Sequence, residues 1–290
     1  MKVIIPPDRV FLDAICRTDF VAFFHRCFLW LNSGMPLLPN WHIEAIAYQL
    51  ERCRRGEIKR LIINLPPRHL KSLMISVALP AFLLGHDPRQ RIITLSYGSE
   101  LSNKHSSDFR SIVNAPWYRD LFPNVRIVRD TGDELVTSQR GFRKSTSVSG
   151  TLTGLGGNIF IIDDPQKPVD AQSDPLRNGV NQWFASTLLS RLDNKETGVI
   201  IIVMQRVHAD DLSGFLMGSS DEWTVLSLPA IAEVPERVQI GPNSFHERAI
   251  GEALHPGYES VETLENCAAR SGRMSSALSI SKTPCRPAAP

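Results

Sequence analysis

The sequence predicts an α/β protein built on a mostly parallel sheet with helices on both faces. Three observations predict it. Short apolar runs recur along the chain: RLIIN (60–64), RIITLS (91–96), NIFII (158–162), GVIIIVM (198–204) and WTVLSL (223–228). Each is continuous rather than alternating, as in strands buried on both faces. Segments of helical periodicity separate them, the pattern of parallel strands joined by crossover helices. The residues with chemical potential follow the apolar runs, and ligands of such sheets bind beyond the carboxyl ends of the strands.

The elements follow in order. Phe11 to Leu31 reads as one helix, because Phe11, Ile15, Phe20, Phe23, Phe24 and Phe28 share a broad apolar face, and Asn32-Ser33-Gly34 ends it. Asn40 is placed to cap a second helix, Trp41 to Arg54, stopped by Arg55-Gly56. After RLIIN, a helix is expected from Lys71 to Leu84, ended by Gly85. Glu100 to Val113 is the next helix, and Gly141 to Val148 reads as part of a strand or hairpin. Asp174 to Leu189 is helical, and Asp210 to Met217 forms a short helix between the last two runs. Four regions result: 1–57 helical, 58–230 the α/β core, 231–265 a linker, and 266–290 a tail. The tail holds five Ser, five Ala and three Pro with no aromatic or acidic residue, so disorder is expected there.

Composition narrows the class. The chain has 290 residues, 42% apolar and 21% charged, enough for a sizeable core. A formal charge of +2 gives no global basic field, so any nucleic-acid contact must come from a local patch. Five cysteines without a C-x-x-C pair argue against a disulfide framework and a zinc site, and fit a reducing cytoplasm. MKVIIPPDRV lacks the apolar core of a signal peptide, and no apolar run approaches the ~18 residues that span a bilayer. A soluble cytoplasmic protein is expected.

The stretch LPPRHLKS (65–72) lies between a buried strand and a helix. In a phosphate-binding loop, backbone N–H groups cradle phosphates, a lysine reaches the β/γ-phosphates, and a hydroxyl meets Mg²⁺. Here Leu65 and Leu70 stand at the glycine positions, and Pro66 and Pro67 lack N–H groups. The remaining donors are Arg68, His69, Leu70, Lys71 and Ser72, at the positive end of a helix. A tight turn with a solvated lysine is the competing interpretation. NIFIIDDPQ sets Asp163 and Asp164 directly after a strand; adjacent carboxylates there need a cation or a proton. Asp163 suits support of Mg²⁺, and Asp164 suits orientation of an attacking water; a simple Asp-Asp-Pro turn is the alternative.

Two further segments are ambiguous. Gln205 and Arg206 leave the fourth apolar run, placed to sense a γ-phosphate. His208, Asp210 and Asp211 raise a metal set, but a helix cap by Asp210 or Asp211 explains them better. Gly150, Gly154, Gly156 and Gly157 make 145–158 either a phosphate or nucleic-acid loop or a connector. Arg140, Arg143 and Lys144 before it form the best local basic cluster, with a solvated face as the plainer account.

Taken together, WHIEAIAYQLE, GEIKRLIINLPPRHLKS, LSYGSELSNKHSSDFR, TGLGGNIFIIDDPQKP, VMQRVHADDLSG and the run ending EALHP resemble the ATPase part of the large terminase subunit of tailed bacteriophages and prophages. The resemblance covers roughly residues 20–256, with the pieces in the family's order. It implies an additional-strand P-loop NTPase fold and a motor that uses ATP and Mg²⁺ to drive double-stranded DNA into a procapsid. By resemblance, PPRHLKS is a deviant Walker A. Lys71 and Ser72 then bind phosphate and Mg²⁺, and Arg68 senses or stabilises the γ-phosphate. IIDD is similar to Walker B, with Asp163 on Mg²⁺ and Asp164 catalytic, where such motors more often carry Glu. Trp41–Gln49 is similar to the adenine-side element. Expected partners are a portal protein, a small terminase subunit and further copies of the chain in a ring, within the bacterial cytoplasm. The family continues past EALHP into a ribonuclease-H-like nuclease. This sequence departs there, so a truncated remnant without nuclease activity is expected. The rivals are an inert nucleotide-binding relic and a helicase-like DNA-dependent ATPase.

Overall fold

The computed structural model describes residues 7–270, apart from 151, 153, 220 and 221. Two helices, α1 (Pro7–Thr18) and α2 (Phe20–Leu31), replace the single helix expected from Phe11 to Leu31. The break falls at Asp19, whose extended backbone and side chain cap α2 by accepting from the Ala22 N–H at 2.7 Å. A carboxylate offers the backbone this alternative, and apolar periodicity alone does not register it. α1 also leaves Phe11 exposed, so the apolar face of the segment is not continuous. α3 (Trp41–Arg54) has the expected bounds, but Asn40 makes no side-chain cap. Its amide instead donates to the Leu254 carbonyl at 2.8 Å, tying α3 to a segment far along the chain.

The chain then enters β1 (Arg60–Asn64) and a helix that begins with a π-helical stretch, Leu73–Ala78, and continues as α4 (Leu79–His86). Gly85 does not end this helix. A Cβ there would lie 2.7 Å from the Phe122 ring, so the glycine permits close packing. There follow β2 (Arg91–Ser96), α5 (Ser99–Val113), α6 (Pro116–Leu121), β3 (Ile127–Asp130), β4 (Glu134–Thr137) and β5 (Phe142–Ser147). Next come β6 (Ile159–Asp163), α7 (Asp174–Trp183) with a π-helical extension, β7 (Val199–Met204), α8 (Leu212–Met217) and β8 (Thr224–Ser227). Eight strands form one sheet in the order β3-β4-β5-β2-β6-β7-β1-β8. The run from β5 to β8 is parallel throughout, and β3 and β4 extend it antiparallel. β7 pairs with both β1 and β6, so a strand is inserted between the strand that leads to Lys71 and the strand that ends at Asp163, the arrangement expected from the sequence resemblance.

The alternation of the pleat explains the continuous apolar runs. Leu61, Ile63, Ile92, Ile161, Ile201 and Val203 pack on one face with α2 to α5, while Ile62, Ile93, Phe160, Ile162, Ile200 and Ile202 pack on the other with Phe184, Leu188 and Leu212. Every second residue serves one core, so apart from the partly exposed Arg60 and Arg91 at their starts these strands are buried throughout. On the first face, Phe23 of α2 lies among the rings of Phe82, Trp117, Tyr118 and Phe122, at 5.2, 5.9, 6.3 and 6.0 Å.

The segment 231–265, expected as a linker, contains a hairpin, β9 (Glu236–Gln239) and β10 (Phe245–Arg248), with α9 (Val261–Arg270) after it. The hairpin packs on α3, where Trp41 stacks on His246 at 4.2 Å. Buried Arg248 donates to the Pro229 and Ala230 carbonyls, anchoring the hairpin to the end of the core. α9 carries past Asn266, where the disordered tail was expected to begin. Its first turn is capped by Ser260, which accepts from the Thr263 N–H at 3.2 Å, and the residues that follow favour helix. The rest of the expected tail, 271–290, lies outside the described residues.

Candidate active site

β1 delivers the chain at Asn64 to the loop 65–70, and the backbone there keeps a bend that glycine would favour. Arg68 and Leu70 both adopt φ of +63°, the left-handed region that side chains disfavour. The phosphate-loop pattern has glycine at the position of Leu70 because that geometry costs a Cβ-bearing residue about 1–2 kcal/mol. This chain adopts the same bend with leucine, half-buried against the core. Arg68 is exposed at the rim. His69 turns inward, 3% exposed, with Nδ1 2.9 Å from the Pro67 carbonyl.

The loop opens directly onto the expected cation and hydroxyl. Lys71 is buried, and its Nζ donates to Asp164 Oδ1 at 2.7 Å. Ser72 Oγ donates to Asp163 Oδ1 at 3.1 Å. Asp163 is the last residue of β6 rather than the first after it, and is fully buried. Its carboxyl is held well above the usual range, chiefly by burial and then by the charge of Asp164, while Lys71, Ser76 and Ser72 pull it back. Asp164 takes a left-handed φ of +43°, and its Oδ1 also accepts the Gln205 N–H at 2.9 Å. Three strand ends therefore converge on one carboxylate oxygen: the loop after β1, the end of β6, and the residue after β7.

Two residues that sequence reasoning passed over join this group. Ser76 Oγ donates to Asp163 Oδ2 at 2.6 Å, and His105 Nδ1 of α5 lies 3.7 Å from the same oxygen. Burial, with Arg143 and Lys104 nearby, pushes the His105 pKa down to about 3, so its ring is neutral. Ser76 carried a readable signal, one helical turn beyond Ser72. His105 carried none, because only the packing of α5 brings it there.

Above these groups lies a cavity of about 480 Å³, lined by Arg68, Leu70, Lys71, Ser72, Lys104, His105, Asp164 and Gln205 among others. A larger volume of about 1000 Å³ adjoins it over the ends of β1, β6, β7 and β8, sharing Asp164 and Gln205 and bounded by Arg206 and Tyr97. Both open at the carboxyl edge of the sheet. His69 is not part of either lining. It belongs to a closed ring of side chains: His42 lies 5.8 Å from His69 and 5.5 Å from His255, and Tyr258 lies 6.1 and 5.9 Å from those two.

Other candidates resolve differently. The Arg206 guanidinium is taken up within its own loop, with Nε bonded to both Asp211 oxygens at 2.9 and 3.0 Å and Nη2 to the His208 and Ala209 carbonyls. Asp211 also caps α8 through the Gly214 N–H, so the acid-rich segment is a cap and a clamp. Arg140, Arg143 and Lys144 do not form one basic patch. Arg140 is exposed, Lys144 pairs with Asp133 at 2.9 Å, and Arg143 is fully buried beneath the Phe109 ring. β5 alternates its side chains between faces, which separates neighbours in sequence.

Oxygen ligands, one carboxylate and one hydroxyl, suit Mg²⁺, which binds few protein groups and keeps waters and phosphate oxygens in its shell. Among the described residues no group of three or more His, Cys, Asp or Glu side chains is placed to hold a metal on its own. No helix among them is long and apolar enough to cross a membrane.

No family model matches the chain, and no curated protein does. Among solved structures it is similar to one described as the crystal structure of the HK97 bacteriophage large terminase, with 15% identity and a TM-score of 0.47. That match covers 74% of this chain and 44% of the solved one, so the chain spans less than half of that protein's length.

Proposed function

We propose that the chain is a Mg²⁺-dependent ATPase that works as the motor subunit of a viral DNA-packaging terminase. The observation that carries the enzymatic part is the pairing of Lys71 with Asp164 and Ser72 with Asp163 at the floor of one cavity. The assignment to packaging is supported by the ordered motifs of the sequence.

In this reading the N–H groups of Arg68, His69, Leu70, Lys71 and Ser72 wrap the phosphates at the positive end of the helix. Lys71 leaves Asp164 for the β/γ-phosphate oxygens. That exchange frees Asp164 to orient water in line with the γ-phosphate, while the Gln205 N–H keeps its carboxylate aimed. Ser72 and Asp163 would hold Mg²⁺, which would supply neutralisation of phosphate charge. Arg68, exposed at the rim, meets the γ-phosphate in this reading. Gln205 reports through its bond to Asp164, and Arg206 reaches phosphate only by releasing Asp211. Asp164 is one methylene shorter than glutamate, which leaves room for an intervening water.

Double-stranded DNA, a portal protein, a small terminase subunit and other copies of the chain in a ring are the partners this reading calls for. Phosphate release from ATP is the test, measured with and without Mg²⁺ and over a range of protein concentrations. Lys71→Ala and Asp163→Ala should abolish turnover, and normal rates in Lys71→Ala reject the assignment. Stimulation by portal or small subunit supports packaging; strand separation coupled to DNA-stimulated turnover supports a helicase instead.

A further inference from the structure

We propose that Ser76 and His105 are positioning residues that turn the Asp163 carboxylate so that Oδ1, and not Oδ2, faces the metal edge of the site. The inference rests on the ATPase reading and deepens it.

The two oxygens of Asp163 have different neighbours. Oδ1 meets Ser72, on the side of the cavity where Lys71 and Asp164 lie. Oδ2 accepts from Ser76 Oγ at 2.6 Å and lies 3.7 Å from the His105 ring. Ser76 is fully buried and His105 is 4% exposed, so neither exchanges this position for bulk water. A carboxylate bonded through both oxygens to one helix, at Ser72 and Ser76, cannot rotate about its terminal torsion without breaking a bond on each side.

The backbone explains why Ser76 is available for this. Pro80 lies four residues on and has no N–H to give the Ser76 carbonyl. The helix widens into its π-helical stretch here, where the Leu79 N–H reaches back to Met74. The Ser76 carbonyl accepts instead from Arg143 Nη2 at 3.3 Å. Arg143 is 1% exposed, and its Nε and Nη1 have no hydrogen-bond partner among the described residues. A buried guanidinium that spends its one bond on a freed helix carbonyl fixes the turn carrying the Ser76 hydroxyl. His105 closes the other side from α5.

A residue that orients a metal ligand should change metal affinity more than nucleotide affinity. Losses of this kind are typically ~10–100-fold in metal affinity. The test measures two quantities in Ser76→Ala and His105→Asn: the Mg²⁺ concentration giving half-maximal ATPase rate, and binding of a fluorescent ADP analogue in EDTA. The expected result is a rise of ~10-fold or more in the Mg²⁺ half-point, with Mg²⁺-free nucleotide binding unchanged within about twofold and Ser76→Thr closer to the native chain than Ser76→Ala. Thermal melting identifies a variant that does not fold, and the other variant then carries the test. Unchanged Mg²⁺ half-points overturn the inference. So does a parallel loss of Mg²⁺-free binding, which would mean the residues support the loop in general. A native chain that neither binds nor hydrolyses ATP overturns the ATPase reading itself; a native chain that hydrolyses normally beside silent variants overturns the positioning role alone.

Discussion

Lys71 Nζ and Asp164 Oδ1 are 2.7 Å apart, and that single bond joins the helix after β1 to the end of β6 across the intervening strand β7. The side chains are 7% and 20% exposed, so the pair is more than a surface ion pair. Removing one member strands the other in a poorly hydrated site.

The pair should behave as a coupled unit in stability measurements. Lys71→Ala and Asp164→Asn are each expected to destabilise the fold, and the double variant less than their sum, with a coupling of about 1–3 kcal/mol in denaturant unfolding. Additive effects would remove the pair from the account of the site. Asp164→Asn should also retain nucleotide binding and lose hydrolysis; equal loss of both would contradict its proposed role with water.

Leu70 predicts an inverted substitution order. Leucine at φ +63° carries backbone strain but buries apolar surface. Leu70→Ala keeps the strain and loses the burial, whereas Leu70→Gly loses the burial and relieves about 1 kcal/mol of strain. Glycine should therefore be the better tolerated by about 1 kcal/mol in denaturation midpoints. If alanine proves more stable, the loop does not hold its left-handed conformation in solution.

Stability should fall on mild acidification. Burial holds His42 and His105 at pKa values of about 3, far below the ordinary ~6.5. The unfolded chain binds these protons first, so stability is intact above about pH 6.5 and declines as pH drops toward 3. Between pH 7 and 5 each should contribute a loss of about 1–2 kcal/mol. His69, His86 and His255 are also lowered, chiefly by burial, and act in the same direction. Asp163 opposes them, because its raised pKa favours proton uptake by the folded state. Urea midpoints at pH 7, 6 and 5 would check the sum; a flat profile, or one that His42→Gln leaves as steep, would refute it.

Phe23 ties the N-terminal helices to the helix that carries Lys71. It is fully buried among four aromatic rings. Phe23→Ala is expected to cost about 3–5 kcal/mol, in a single unfolding transition that also abolishes nucleotide binding. An early separate transition for residues 7–54 would show that they fold independently of the site.

The sequence disclosed the parts whose signal is local. RLIIN and RIITLS match β1 and β2 residue for residue, and the other buried strands differ only at their ends, because burial on both faces leaves an unbroken apolar run. β3 and β4 left no such trace. Both are four residues long; β3 is largely exposed and β4 half-buried, and they are defined by pairing, β3 with β4 and β4 with β5. Lys71 and Ser72, opening the helix after β1, and Asp163 and Asp164, at the end of β6, were singled out because polar residues follow an apolar run, and the fold brings the two pairs together. Arg143 was not, since a guanidinium under an aromatic ring and one in water look alike in a string of letters. The caps obeyed side-chain geometry, which separates Asp19, a true cap, from Asn40, whose amide is used elsewhere.

β7 has one more implication. Adjacent strands stand about 4.8 Å apart, so its insertion sets β1 and β6 roughly 10 Å from each other. The width of the jaw is thus dictated by an apolar ribbon, VIIIVM, wedged in the interior, and the lip can be rewritten without altering the span. A lip without glycine, built from proline, arginine and leucine, is tolerable on such a chassis because its spelling and the calibre of the mouth are governed by different parts of the chain.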